Sequence, residues 1–393
     1  MTEIYVLDEL PGTGKTTWII NHLKESGERF VYVTPLETER DKICRLIPNT
    51  IKPMPLLSFD RNLSETKYTL REGFRQSICN HNISTTHALF LQLDSAEIPE
   101  NTTLVIDEAL DAITRYDISR GRLKNMLQGG DLVITADNRL LFMGNIDDYD
   151  EEQDQIEHII YRACKSGMAY VFENNVVITE LSPAILKQFS KVYILTYKFI
   201  NSLFYSWLTS HCLLVRMIKP ELKKSTAQVK AKIRELIHMP DVSGITSLGY
   251  SYTWNDWKKK IKKPELKKKI TAFLGNNTHI KIEDMLFTCP KDQWDKLRGT
   301  RYKTATWLAV NTRATNDYRD KTVIFFLWSR NYKPEIKRFC EQHKIPLDND
   351  QYALTELIQF IFRSALRDNK PITLILPSAR MRKLFVKWLQ EST

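Results

Sequence analysis

The run Asp8-Glu9-Leu10-Pro11-Gly12-Thr13-Gly14-Lys15-Thr16-Thr17 follows directly on the apolar stretch Ile4–Leu7. Glycines at 12 and 14 let the backbone curl so that successive N–H groups face one centre, and the positive end of a following helix adds to the attraction. Such a nest suits the phosphate oxygens of ATP. Pro11, Gly12, Thr13, Gly14, Lys15, Thr16 and Thr17 are therefore the candidate nucleotide loop, with Lys15 reaching the β- and γ-phosphates and the Thr16 hydroxyl holding Mg²⁺. In the spacing GxxxxGK followed by Ser or Thr, the first glycine would fall at position 9, where this chain has Glu9. That position precedes the tightest part of the loop and accepts a side chain if its φ is negative.

A second constellation is Leu104-Val105-Ile106-Asp107-Glu108-Ala109, two carboxylates immediately after an apolar run of strand length. A parallel sheet presents its ligands at the carboxyl ends of its strands, so this pair and the loop after Leu7 should meet on one edge. Asp107 would then be a partner of Mg²⁺, and Glu108 would orient and deprotonate the attacking water, giving hydrolysis. The plainer alternative is a pair of acids facing the dipole of a helix N-terminus.

These residues need a scaffold of strands and helices. Short β-branched and aromatic runs alternate with helical patterns, which predicts an α/β chain with parallel sheets flanked by helices. Strands are expected at Ile4–Leu7, Phe30–Thr34, Leu104–Ile106 and Val192–Leu195. Later ones are expected at Leu213–Met217, Ile245–Leu248, Thr306–Val310, Thr322–Leu327 and Ile372–Leu376. Helices are expected from Gly14–Lys15 onward and over Glu37–Leu46, Phe199–Leu208, Lys333–His343, Tyr352–Asp368 and Ala379–Leu389, the last capped by Ser378. The 393 residues suit two domains, 1–198 and 199–393. The acidic stretch Asp147–Asp154 is expected to be a solvated loop, and core packing is expected for Tyr252–Trp257.

Composition narrows the partners. The formal net charge of +10 favours polyanions such as nucleic acid. The six cysteines form no CxxC pair, so neither a zinc ribbon nor a disulfide framework is expected, and a reducing cytoplasm is the simplest compartment. No apolar run has the length of a membrane span and the first residues leave no room for a signal peptide, so a soluble protein without a membrane partner is expected. The lysine-rich tracts 219–232 and 258–269 read as solvated helix faces.

With the Asp-Glu-Ala box downstream of Pro-Gly-Thr-Gly-Lys-Thr, the chain resembles the DExx-box helicases and translocases of superfamily 2, above all those carried by phages and other mobile elements. Further segments fit in order. Thr34-Pro35 resembles the family's motif Ia, and Ser84-Thr85-Thr86-His87-Ala88-Leu89 resembles the strand-contacting motif after it. Ile194-Leu195-Thr196 resembles the motif that couples the domains. Asn311–Tyr318 resembles motif V, and Gln359, Arg363 and Arg367 resemble motif VI. Spacings of four would set these last three side chains along one helix face. The family's arginines are three apart rather than four, which leaves the choice of finger between Arg363 and Arg367 open.

The resemblance implies two RecA-like P-loop domains with an ATP cleft between them. It implies nucleic-acid contacts by Thr34, Pro35, Thr86, His87, Thr315 and Asn316, coupling through Thr196, and catalytic roles for Lys15, Glu108, Gln359, Arg363 and Arg367. The expected activity is an ATP hydrolase acting as a helicase or translocase. Its partner would be nucleic acid, single-stranded DNA before RNA, with replication proteins as further partners. The setting would be phage or mobile-element replication or recombination in a bacterial cytoplasm. Two competing readings are a P-loop kinase and a replication-initiation or packaging factor that uses ATP as a latch. Residues 110–190 carry no motif with an expected role.

Overall fold

Strands rich in β-branched and aromatic residues, buried on both faces, can only satisfy their backbones in a sheet covered by helices. That is the arrangement in the computed structural model. It describes residues 2–60, 65–93, 98–146, 149, 155–172, 176–312 and 317–391, with only the backbone of 56–60 and 65–69. The chain divides into two compact units. One comprises residues 1–8, 16–220 and 333–347, and the other residues 9–15, 221–332 and 348–393.

The first unit is built on a seven-stranded sheet. Its order is Val215–Met217, Glu3–Asp8, Lys191–Thr196, Thr103–Asp107, Phe30–Thr34, Asn82–Thr86, Thr50–Ile51, and each neighbouring pair is parallel. Phe30–Thr34, an interior strand beside the central Thr103–Asp107, is buried at every position. Each large apolar side chain buried in this way contributes about 1.5–3 kcal/mol. The division expected at 198/199 lies instead between Pro220 and Glu221. The cause is strand Val215–Met217, which pairs with Glu3–Asp8 rather than opening a new sheet.

Between Glu108 and Lys191 the chain builds a module of its own. Ile113–Asp117, Val176–Glu180 and Ala169–Phe172 form an antiparallel sheet, beside a hairpin of Leu132–Ile134 and Leu140–Phe142. Helices Arg120–Gly129 and Gln155–Lys165 pack on it. Helix Pro334–Gln342 also belongs to this unit: Phe339 sits edge-on to Tyr170 at 5.0 Å, and Glu335 pairs with Arg115 at 3.3 Å. The acidic residues 147, 148, 150–152 and 154 lie outside the described residues.

The second unit carries a five-stranded parallel sheet in the order Ile237–His238, Ile372–Ile375, Val323–Phe326, Met285–Thr288, Thr306–Trp307. Phe287 and Phe325 stack across it at 4.2 Å, and Tyr252, Trp257 and Tyr302 are buried in the same core. Ile245–Leu248, expected as a strand, instead enters a short helix, Ser243–Thr246. An apolar run of four residues does not distinguish the two states. The last helix, Ala379–Gln390, starts as expected, with Ser378 accepting from the Met381 amide. Among the described residues no helix is long and apolar enough to cross a membrane.

Candidate nucleotide site

Register alone lines up most of the candidate residues of the first unit. Asp8 is level with Thr196, Leu195 with Asp107, Val33 with Ile106 and Thr34 with Thr86. Five polar residues therefore end five adjacent strands along the carboxyl edge of one sheet, where α/β folds take their ligands.

Asp107 is the focus of that edge. Its Oδ2 accepts from the Tyr32 hydroxyl at 3.0 Å and from the Thr16 hydroxyl at 3.4 Å. Burial, then the charge and hydrogen bond of Asp107, push the Tyr32 hydroxyl well above its ordinary pKa. It stays protonated and remains a donor to the carboxylate. The Asp107 carbonyl accepts from His87 Nε2 at 2.9 Å. Glu108 follows in the left-handed region at φ 65°, a conformation that costs a residue with a Cβ about 1–2 kcal/mol. Its amide donates to the Leu195 carbonyl at 2.9 Å. Glu108 Oε2 is buried and has no hydrogen-bond partner among the described residues. A hydroxyl and a carboxylate at Thr16 and Asp107 are the hard oxygen ligands that Mg²⁺ takes, so these residues fit that ion.

The loop leaves the first unit's strand at Asp8, and Thr16 begins the return to that unit. The residues between them belong to the second unit. Gly12 has φ 89° and Gly14 φ 105°, which only glycine adopts without strain. The buried Thr13 donates its hydroxyl to the Leu10 carbonyl at 3.0 Å, so its contribution to a phosphate site would be its main chain. Lys15 Nζ donates to the carbonyls of Glu9 and Leu10. Pro11 is half-buried, and Thr17 is exposed in the first turn of helix Lys15–Ser26. Glu9, at the position where the motif has glycine, is not among the residues with positive φ. Its carboxylate accepts from the Thr226 hydroxyl, whose oxygen in turn accepts from the Leu10 amide at 3.1 Å. Sequence reasoning could tolerate Glu9, but no local signal pointed to a partner more than two hundred residues away.

Within the second unit Gly12, Lys223, Lys224, Lys232, Phe362 and Arg367 line a cavity of about 490 Å³. Gln359, Arg363 and Arg367 do not share one helix. The helix Asn349–Ile361 stops, and Ser364 caps a separate 3₁₀ turn, Ala365–Asp368. Ser364 takes the Leu366 amide with its own hydroxyl, giving the backbone an alternative to continuing the helix. Gln359 is half-buried in that helix. Arg363 is 4% exposed and donates to the Val310 carbonyl at 2.9 Å, whereas Arg367 is exposed beside Gly12 in the cavity.

The expected nucleic-acid residues divide similarly. Thr34 is fully buried and donates to the Leu36 carbonyl at 2.8 Å, and Pro35 beside it is half-buried. Thr86 caps the short helix His87–Phe90 by accepting from the Leu89 amide. Thr196 is buried at its strand end. Thr315 and Asn316 lie outside the described residues.

Two parallel sheets flanked by helices, the first carrying the acidic pair at its carboxyl edge and followed after Asp8 by the candidate nucleotide loop, define an α/β fold of the helicase-like kind. Comparison bears out the fold. The solved structure of an XPD helicase aligns with a TM-score of 0.54 and 12% identity over 99% of this chain and 95% of that one. In sequence, residues 227–389 match the family described as the YonV C-terminal Rossmann-like domain. The chain is also similar along its length to the SPbeta prophage-derived uncharacterized protein YonV of Bacillus subtilis (strain 168). The two are 28% identical over 420 aligned positions, with 99% of each covered.

Proposed function

We propose that the chain is a nucleic-acid-dependent ATPase, a helicase or translocase that works in a phage or prophage setting in the bacterial cytoplasm. One observation carries this reading: the Thr16 and Tyr32 hydroxyls converge on the Asp107 carboxylate while the neighbouring Glu108 keeps a buried oxygen without a hydrogen-bond partner among the described residues. A carboxylate poised in this way, beside ligands suited to Mg²⁺, is equipped to take a proton from water. Likeness in fold to a helicase and similarity to a prophage-derived protein support the same reading.

The residues then divide the work. Main-chain amides from Gly12 to Thr16 bind the phosphates, and Lys15 moves its three donors from loop carbonyls to phosphate oxygens. Thr16 and Asp107 would hold Mg²⁺, which when bound neutralises charge on the phosphates. Tyr32 fixes the Asp107 carboxylate, and Glu108 orients water and accepts its proton. Single-stranded DNA is the proposed polymer, drawn in by the net charge of +10. Phosphate release measured with and without single-stranded DNA, single-stranded RNA and duplex tests the reading. At least one polymer should stimulate turnover, and indifference to all three would favour a P-loop kinase instead.

Of the two arginines, Arg367 is the proposed phosphate sensor, because it is exposed in a cavity with Gly12 while Arg363 is committed to Val310. Arg367→Ala should cut turnover about a hundredfold with stability changed by less than about 0.5 kcal/mol. Arg363→Ala should instead lower the melting temperature, with about 2–3 kcal/mol lost as the Val310 carbonyl is left unpaired. Turnover and thermal melts on both variants check the assignment. An unaltered rate in Arg367→Ala would refute it.

A further inference from the structure

The Asp107 carbonyl and the Glu108 amide belong to a single peptide plane, and that plane is held at both ends. Its N–H donates to the Leu195 carbonyl at 2.9 Å, and its C=O accepts from the His87 ring at 2.9 Å. A carbonyl oxygen only accepts, so Nε2 carries the proton. The orientation of this plane is the reference from which the Glu108 φ of 65° is measured. A glutamate held in the left-handed region persists only where its surroundings over-determine it. Here the over-determination comes from two bonds on the plane before its Cα, one of them made by a side chain. That side chain opens the helix His87–Phe90, next to the exposed Ala88.

We propose that His87 is a positioning residue that sets the Glu108 carboxylate, and that a nucleic-acid strand reaching the His87–Ala88 segment alters hydrolysis by moving this ring. The proposal rests on the ATPase reading above and names the route by which the polymer would regulate it. Among the residues matching the strand-contacting motif, His87 reaches the acidic pair's own backbone with its side chain. Glu108 needs no new contact for its carboxylate to shift, because releasing the 107–108 plane frees φ at Glu108 to relax. Loss of the ring should therefore act on the chemical step and leave nucleotide affinity alone.

The test uses the full chain and four variants: His87→Ala, His87→Phe, His87→Gln and Glu108→Gln, with the double variant His87→Ala/Glu108→Gln. kcat and KM are measured with and without single-stranded DNA, alongside titration with a fluorescent ADP analogue. His87→Ala should lower kcat about tenfold while KM and analogue affinity stay within about twofold. Stimulation by DNA should be largely lost. His87→Phe keeps ring bulk without a donor and should behave like alanine, whereas His87→Gln restores an N–H donor and should recover most of the rate. The double variant should be no slower than Glu108→Gln alone, since both changes act on one group. A wild-type kcat in both His87→Ala and His87→Phe, or losses that multiply in the double variant, would overturn the proposal. If wild-type protein hydrolyses no ATP, or Glu108→Gln turns over normally, the ATPase reading fails and this proposal falls with it.

Discussion

Lys15→Ala is expected to lower ATP turnover by about a thousandfold, as loss of a preorganised donor to developing phosphate charge does elsewhere. It should also weaken nucleotide binding. Lys15 lies in the loop that the two left-handed glycines shape, and its ammonium is already turned back onto that loop, against the carbonyls of Glu9 and Leu10. Phosphate oxygens arriving at the loop amides would offer it charged acceptors in place of neutral ones, a roughly twofold stronger kind of hydrogen bond. Alanine leaves the amides in place, so the fold should survive and the melting temperature should barely change. Phosphate release and a fluorescent-nucleotide titration read the two effects separately. Turnover within about threefold of wild type would show that the phosphates do not sit where Lys15 can reach them.

Glu108→Gln is the other large expected effect, with kcat down about a thousandfold and nucleotide binding kept. The amide is nearly isosteric but cannot take a proton. The buried Oε2, which has no hydrogen-bond partner among the described residues, leaves Glu108 with unspent accepting capacity. A motor should stall in this variant while still binding ATP and DNA. A protein that uses ATP only as a latch should keep its biological activity, because binding alone throws the latch. Single-turnover phosphate release distinguishes the outcomes, and an unchanged rate would remove Glu108 from the mechanism. Of the changes proposed, these two bear most directly on whether the chain is a catalyst at all.

What could be read in the sequence was local. The candidate phosphate loop stands out because Pro-Gly-Thr-Gly-Lys-Thr lies between an apolar strand and a helix. Asp107 and Glu108 do so because they end a buried run. The partners of these residues were illegible. Nothing near Tyr32 says that its hydroxyl meets Asp107, nor near Glu9 that it meets Thr226, since both pairs are made by the fold across long separations. The arginine stripe failed for a different reason. Phe362-Arg363-Ser364 contains neither proline nor glycine, so the sequence reads as a helix through it, but the Ser364 hydroxyl takes the Leu366 amide and the Lys321 carbonyl takes the Ala365 amide. Val215–Met217 went to the wrong sheet because strand propensity says nothing of which edge will accept a strand. The stretch 110–190 gave no chemical signal because its residues serve backbone pairing and an apolar core that includes Leu123, Ile160 and Val177.

The segment 333–347 has a bearing on how the polypeptide acquires its shape during synthesis. Its helix supplies Phe339 to the face of Tyr170, yet it emerges after more than a hundred residues of the other unit. The amino-terminal body therefore cannot be finished as soon as its main sheet has been translated. It must wait, with an apolar patch around Tyr170 uncovered, until residues 333–347 have left the ribosome. Domains that fold strictly one after another avoid such exposure. Here maturation of the first body is tied to translation of the second, and a gene fragment stopping at Pro220 would yield a body with a bare flank.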